Sequence, residues 1–177
     1  YTTVGTATHT YDDGLTTPII TVDLVDEDGM HLNTGTLELT VNNVAPSVAV
    51  DDTSVTVNEA VTAYNNGTFF DPGADSVTVT TSVGTVTQGT GTWNWSFGST
   101  DGPDQSQPVT ITATDSDGAF TSVTFDLTVV NVAPTIALSG ASTVDEGSTY
   151  ILTLGAITDP GADVVSQYIV DWNDGTS

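Results

Sequence analysis

The sequence contains no lysine, no arginine and no cysteine among its 177 residues, whereas 23 residues are aspartate or glutamate. The formal net charge is −23, and no lysine or arginine is present to offset the repulsion between the acids. Nucleic acid is excluded as a partner, because contacts with phosphate need basic side chains. Disulfides and lysine-based cross-links are excluded as well. A bound cation is the remaining means of cross-linking the chain, and aspartate-rich turns supply the oxygen ligands that calcium takes.

Long apolar runs are also missing: no stretch approaches the roughly 18 residues of a membrane span. We therefore expect no membrane contact in this segment. His9 and His31 lie in different segments, with no histidine or cysteine nearby at the spacing of a zinc site. No nucleophile lies beside a base in the sequence, and the acids lie in turns. We expect the protein not to be an enzyme.

Two phrases recur in the chain at the same interval. "VNNVAP" ends at Pro46 and "VVNVAP" ends at Pro134, which is 88 residues later, and "DPGAD" begins at Asp71 and again, 88 residues later, at Asp159. A period of this length is too long for a solenoid repeat and fits a small sandwich domain with its own core. The proline-terminated phrase is then a short linker, because proline cannot continue a central strand.

The repeats predict one complete domain flanked by two half domains. Residues 45–133 form the complete domain, 1–44 the C-terminal half of another, and 134–177 the N-terminal half of a third. Two explanations remain open. The chain is an excerpt from a longer tandem array, or it is a subunit whose front half pairs with the back half of its neighbour in a head-to-tail polymer.

Alternation of apolar and polar residues predicts β-strands throughout. Val123, Phe125, Leu127 and Val129 share one face of a half-buried strand. The same pattern marks "TLELTV", "VTITAT", "DSVTVT", "TSVTVN" and "QYIVDW", and "DEDG" and "DSDG" read as hairpin turns. About seven short strands per unit predict an all-β protein made of tandem immunoglobulin-like β-sandwiches.

The aromatic segment "TWNWSF" places Trp93, Trp95 and Phe97 on one face of a predicted strand. Two interpretations are open for these side chains. They form part of the core, or they form an exposed platform that binds sugar rings. The second interpretation requires Trp93 or Trp95 to be exposed to solvent.

The order of motifs in 45–133 resembles that of a cadherin repeat: "NVAP", "VNEA", "DPGAD", "DGPD", "TATDSDG" and "NVAP" again. The half domains resemble PKD domains through "VDWNDGTS" and "THTYDDG". The chain is thus similar to bacterial tandem immunoglobulin-like domains of the cadherin-like and PKD-like type, as found in large surface or biofilm adhesins. The resemblance implies calcium at the junctions between domains. Unlike cadherin linkers, these linkers have no extra aspartate between asparagines.

The resemblance assigns ligands residue by residue. At the second junction it implies Glu59, Asp101, Asp104, Asn131, Asp159 and Asp163. At the corresponding positions of the other repeats, the resemblance implies as calcium ligands Glu146, Asn43, Asp71 and Asp75. From the "TATDSDG" turn it implies Asp115 and Asp117.

These features predict a structural spacer or filament-forming segment of a large extracellular surface or adhesion protein, stiffened by calcium. Its expected partners are neighbouring repeats of the same protein, including head-to-tail self-assembly. Two alternatives remain: a carbohydrate-binding accessory module, and an acidic halophile surface-layer protein without specific calcium sites. Asn66 and Asn94 fit the acceptor pattern for N-glycosylation.

Overall fold

The computed structural model describes residues 5–173, in which every regular element is a β-strand. There are twelve strands in this range: β1 Ile19–Asp26, β2 Gly29–Glu38, β3 Ser47–Val50, β4 Ser54–Asn58, β5 Thr62–Phe70, β6 Thr78–Thr81, β7 Thr85–Gln88, β8 Thr92–Gly98, β9 Gln107–Thr114, β10 Phe120–Val130, β11 Thr135–Gly140 and β12 Leu152–Thr158. None of the residues 5–173 forms a helix with the length and apolarity needed to cross a membrane.

Eight of the strands form two four-stranded sheets. One sheet has the order β4-β10-β9-β6 and the other has the order β3-β5-β8-β7. Strand β4 runs parallel to β10, whereas β6 is antiparallel to β9 and β3 is antiparallel to β5. This strand order confirms an all-β, immunoglobulin-like β-sandwich. The remaining strands form two antiparallel pairs, β1-β2 and β11-β12.

The alternation in the sequence corresponds to alternating burial. In β9 the buried residues are Val109, Ile111 and Ala113, and in β8 they are Trp93 and Trp95. In β10 the buried residues are Phe125, Leu127 and Val129, which the sequence predicts to share one face. A side-chain period of two places one set of residues on the covered face of each strand.

The chain divides into two compact units. The first comprises the described residues up to Asp52 together with Asn65–Trp95 and Val109–Thr124. The second comprises Thr53–Tyr64, Ser96–Pro108 and the described residues from Phe125 onwards. The expected boundaries near 44/45 and 133/134 remain predictions.

Both predicted hairpin turns are confirmed. "DEDG" joins β1 to β2, where Asp26 Oδ1 accepts hydrogen bonds from the N–H groups of Asp28 and Gly29 at 3.0 and 3.1 Å. "DSDG" lies between β9 and β10, where Asp115 Oδ1 accepts from Ala119 N–H at 2.8 Å. An aspartate at the start of each turn satisfies backbone donors that have no partner in the strand ladder.

One predicted strand is wrong. "QYIVDW", residues 167–172, is not a strand, although it overlaps residues 166–169, which lie one period of 88 residues after β6. Strand β6 forms backbone hydrogen bonds with β9. Among the described residues, no strand pairs with 167–172 in the same way. Alternation describes the faces of a strand but does not supply its hydrogen-bonding partner. Similarly, β6 begins at Thr78, so that Val77 of "DSVTVT" lies outside it.

Candidate functional site

Two groups of three carboxylates are brought together by the fold. The Asp75 cluster consists of Asp13, Asp75 and Asp117, and all three belong to the first unit. The Glu59 cluster consists of Glu59, Asp101 and Asp163, and all three belong to the second unit. In each cluster one oxygen from every carboxylate lies within 4.8 Å of the other two. This arrangement can hold a cation between oxygen ligands.

The two clusters are related by the sequence period. Asp13 and Asp101 are 88 residues apart, and so are Asp75 and Asp163. The third members differ, because Asp117 comes from the turn between β9 and β10, whereas Glu59 follows β4. The fold therefore builds the same acidic pair twice and adds a different third acid each time.

In the Asp75 cluster, the segment before Gly14 lies against the linker that contains Asn43. A Cβ on Gly14 would lie 2.6 Å from the Asn43 Cα, so only glycine allows this approach. Ala74 N–H donates to the Asp12 carbonyl at 2.6 Å, and the Ser116 hydroxyl donates to Asp75 Oδ1. These contacts bring "DDG", "DPGAD" and "DSDG" together, and "DDG", "DPGAD" and the linker at Asn43 line a cavity of about 170 Å³.

The linker asparagine contacts the same turn. Asn43 Nδ2 donates to Asp115 Oδ2 at 2.8 Å, and Asp115 is buried. Burial acts to raise the pKa of Asp115, but the hydrogen bonds from Asn43 and from the Ala119 and Gly118 N–H groups outweigh it and lower the pKa. Asp115 is thus held as a carboxylate that fixes the linker to the "DSDG" turn.

In the Glu59 cluster, the glutamate is buried and bonded to backbone. Its Oε2 accepts from Gly102 N–H at 3.1 Å and its Oε1 accepts from Val132 N–H at 2.7 Å, although only 1% of its surface is exposed. A Cβ on Gly102 would lie 2.7 Å from the Asn131 nitrogen, and a Cβ on Gly161 would collide with the Glu59 carboxylate. Two glycines therefore let the linker and the "DPGAD" segment approach Glu59.

The charges within each cluster repel one another. Desolvation, followed by repulsion from Glu59 and Asp101, raises the pKa of Asp163. Desolvation, followed by repulsion from Asp75 and Asp13, raises the pKa of Asp117. A cation placed among these oxygens would reverse both repulsive effects.

The first aspartate of each "DPGAD" has one satisfied and one unsatisfied oxygen. Oδ1 of Asp71 accepts from Gly73 N–H at 2.8 Å, and Oδ1 of Asp159 accepts from Gly161 N–H at 3.2 Å. In both residues Oδ2 is buried without a hydrogen-bond partner. Buried polar atoms without a hydrogen-bond partner are uncommon in folded proteins. These two occur at equivalent positions, 88 residues apart, so both repeats have the same local structure here.

Five of the candidate ligands from the sequence lie in the clusters. They are Glu59, Asp101 and Asp163 in one cluster and Asp75 and Asp117 in the other. The carboxylates of Asp71 and Asp75 both lie next to Gly73. A Cβ placed on Gly73 would be 3.2 Å from an Asp71 oxygen and 3.1 Å from an Asp75 oxygen.

The other candidates stand apart from the three-acid groups. Asp104 contributes to the raised pKa of Asp163 through its charge, and Asn131 lies in the linker beside Gly102. Glu146 is exposed and joins neither cluster within residues 5–173. Whether any of these residues binds a metal stays a prediction.

Sequence reasoning missed Asp13. The signal was present, because Asp13-Gly14 precedes Asp101-Gly102 by one period of 88 residues. It was overlooked because the residues around Asp13 and around Asp101 are otherwise dissimilar, "THTYDDG" against "SFGSTDG".

The burial of Trp93 and Trp95 decides whether these side chains form an exposed platform for sugar rings. Trp93 is fully buried and Trp95 is 1% exposed, so the interpretation as a solvent-facing platform is wrong. Trp93 Nε1 donates to the Ala49 carbonyl at 3.2 Å, and Trp95 Nε1 donates to the Val83 carbonyl at 2.7 Å. Both indoles belong to the core, as the alternation predicts. Asn66 and Asn94 are exposed on β5 and β8, and their glycosylation stays a prediction.

No protein-family model and no curated protein matches the chain. Among solved structures it is similar to the titin domains z1z2 in complex with telethonin, with 15% identity and a TM-score of 0.42 over 64% of this chain. The chain spans 60% of that titin structure. It is also similar to the titin Ig tandem A164-A165, with 7% identity and a TM-score of 0.38 over 64% of this chain and 62% of that one. A third is the twitchin kinase region of C. elegans, with 14% identity and a TM-score of 0.41 over 54% of this chain and 18% of that one. The assignment of the fold rests on the strand order and burial described above.

Proposed function

We propose that this chain is a structural repeat segment of a large extracellular surface protein of the cadherin-like and PKD-like type, whose domain junctions are stiffened by calcium. The observation that carries the proposal is the recurrence of one acidic pair: Asp13 with Asp75, and Asp101 with Asp163. Scattered surface acids would have no reason to meet twice at the same repeat positions.

The chemistry of the donors favours calcium over other metals. All members of both clusters are carboxylates, and calcium takes six to eight oxygen ligands in flexible geometry. Zinc and copper prefer histidine or cysteine, and the chain contains no cysteine. Asn43 lines the same cavity as Asp13 and Asp75, so its side-chain oxygen would be a further ligand there.

The buried, unpartnered Oδ2 atoms of Asp71 and Asp159 support the same conclusion. A buried carboxylate oxygen without a donor costs free energy, and an ion in contact with it would recover that cost. The chain has no lysine or arginine to take this role. An external cation is therefore the available counter-charge.

The mechanism would be mechanical. In the Asp75 cluster an ion would tie "DDG" of one repeat to "DPGAD" and "DSDG" of the next, across the linker at Asn43. In the Glu59 cluster it would hold "DPGAD" of the following repeat against the loop at Gly102. Without the ion, repulsion between the carboxylates favours separation of these segments. Extension and rigidity of the segment would therefore depend on calcium.

Thermal unfolding in EDTA, in millimolar calcium and in sodium chloride of matched ionic strength tests this proposal. A ligand that binds only the folded state raises its stability with concentration, so calcium should raise the melting temperature beyond the effect of sodium. Magnesium serves as a second control, because it demands a tighter octahedral shell. If sodium chloride stabilises as much as calcium, the acids act as a general charge field, as in a halophile surface protein, and the calcium proposal is wrong.

A further inference from the structure

Strand β6 lies at the edge of its sheet. The order of the sheet is β4-β10-β9-β6, so β9 pairs with one side of β6 and, within residues 5–173, no strand pairs with the other side. The backbone groups on that open side point away from the sheet. An edge of this kind readily accepts a strand from another chain, and folded proteins protect it.

The register with β9 identifies which groups of β6 lie on the open side. Thr80 pairs with Thr112, and two residues later Ser82 N–H donates to the Thr110 carbonyl at 2.9 Å. In an antiparallel ladder the backbone groups of successive residues alternate between the two sides of a strand, so the even-numbered residues face β9. The odd-numbered residues, among them Val79, therefore direct their N–H and C=O groups to the open side.

The side chain of Gln88 occupies this open side. Val79 N–H donates to Gln88 Oε1 at 2.9 Å, and Gln88 Nε2 donates to the Val77 carbonyl at 2.6 Å. An N–H and a C=O two residues apart on the same side of a strand are the groups that one residue of a parallel neighbour would bond. Gln88 is the last residue of β7, the edge strand of the other sheet. Its carboxamide thus takes the place of one residue of a neighbouring strand.

The chemistry of the two backbone groups requires an amide at this position. The Val79 group is a donor and the Val77 group is an acceptor, so the side chain must accept and donate at the same time. A carboxamide offers an acceptor and a donor on two atoms of one planar group, whereas a carboxylate has no donor and an ammonium group has no acceptor.

The sequence of β6 shows why its edge needs protection. Residues 77–83, "VTVTTSV", contain no charge, no proline and no glycine, and valine and threonine favour strands. Segments of six or seven residues with these properties pair with copies of themselves when they are exposed on an edge. Lysine, which often protects sheet edges, is absent from the chain.

We infer that the Gln88 side chain closes the open side of β6 against pairing with the same strand of a second copy, and that loss of the amide turns this edge into a site of self-association. The partner at the opened edge is β6 of another copy, because this uncharged strand can pair with itself about a two-fold axis. The inference does not depend on calcium, since neither Gln88 nor β6 contributes to a carboxylate cluster.

Sedimentation velocity of the full chain at increasing concentration tests the inference. Concentrated sodium chloride screens the repulsion between copies of charge −23. Gln88→Leu removes both hydrogen bonds without changing the net charge. Thr85→Leu is the matched control, because it adds the same side chain at an exposed position of β7 and leaves the Gln88 amide in place.

Gln88→Leu should associate at a concentration at least about tenfold lower than the wild type, because the Val79 and Val77 groups then regain partners only by pairing with another copy. Thr85→Leu should behave as the wild type does. Unchanged fluorescence of the buried tryptophans shows that both variants fold.

Hydrogen exchange followed by NMR locates the contact. In dilute solution the Val79 N–H of Gln88→Leu should exchange at least about tenfold faster than that of the wild type, whereas the Thr80 N–H, which faces β9, should stay protected in both. At concentrations where Gln88→Leu associates, protection of the Val79 N–H should return.

Three results would overturn the inference. Equal exchange of the Val79 N–H in the dilute wild type and Gln88→Leu would show that the amide does not occupy the edge. Association of Gln88→Leu no stronger than that of Thr85→Leu would show that the amide does not prevent pairing. Association without renewed protection of the Val79 N–H would show that the copies meet elsewhere.

Discussion

The substitution Glu59→Gln should remove most of the calcium response of the Glu59 cluster while preserving its shape. Glutamine has nearly the same volume as glutamate but carries no charge. Its single amide oxygen can accept from only one of the two N–H groups, Gly102 or Val132, that the carboxylate now satisfies. A buried donor left without a partner costs about 1–3 kcal/mol, so the baseline in EDTA should fall as well. The informative quantity is therefore the difference between calcium and EDTA.

The size of that difference follows from ligand linkage. At a calcium concentration of a hundred times Kd, binding adds about 2.7 kcal/mol to the stability of the wild type. For a domain of one repeat, 88 residues, this amount corresponds to a rise of about 10–20 °C in Tm. Loss of an outer partner of a metal ligand already weakens binding by about 10–100-fold. A hundredfold weaker site would retain about 0.4 kcal/mol at the same concentration, or a rise of about 2–3 °C.

The assay is thermal unfolding followed by tryptophan fluorescence, with and without calcium, for the wild type, Glu59→Gln and Glu38→Gln. Glu38 is exposed at the end of β2 and is in neither cluster, so this control removes the same charge elsewhere. Glu38→Gln should keep the full calcium response. An equal response in Glu59→Gln and the wild type would refute the assignment of Glu59 as a ligand.

Three further predictions follow from the same geometry. Gly161→Ala places a methyl group against the Glu59 carboxylate and should weaken calcium binding in a calorimetric titration, whereas Gly98→Ala, with no atom within 4 Å of the new Cβ, should not. Trp93→Ala should lower the free energy of unfolding in urea by about 3–5 kcal/mol, equally in calcium and in EDTA, because it opens a cavity in the core; a loss confined to calcium would contradict this. In EDTA the contribution of Asp163 to stability should be most favourable at low pH and should fall as the pH rises from 3.8 past its raised folded pKa, because the folded state binds this proton more tightly than the unfolded state. Asp163→Asn should therefore gain stability relative to the wild type as the pH rises, and a difference independent of pH would show that the repulsion is not felt.

Much of the fold could be predicted from local patterns. The alternation around Phe125 and Leu127 identified the strand and its buried face, because a strand with one covered face must alternate. The same reasoning placed Trp93 and Trp95 in the core. It failed at 167–172, where the alternation is present but no strand within residues 5–173 pairs with the segment.

The candidate site was less accessible to sequence reasoning. Glu59, Asp101 and Asp163 could be grouped only through the resemblance to a known repeat, since they lie far apart in the chain. Asp13 was overlooked although the period points to it. Glu146 was named by the same resemblance as Glu59, yet it is exposed and stands apart from both clusters in the described residues.

The sequence by itself determined the repeat length, the all-β class and the absence of any lysine or arginine that could offset the acids. These properties depend on composition and on patterns between neighbouring residues. Only the tertiary structure decided which carboxylates meet and which aspartate oxygens are buried without a hydrogen-bond partner. Those properties depend on how segments that are distant in the sequence approach one another. A distance of a few ångströms between side chains is set by the packing of the backbone, and it cannot be calculated from their separation along the chain.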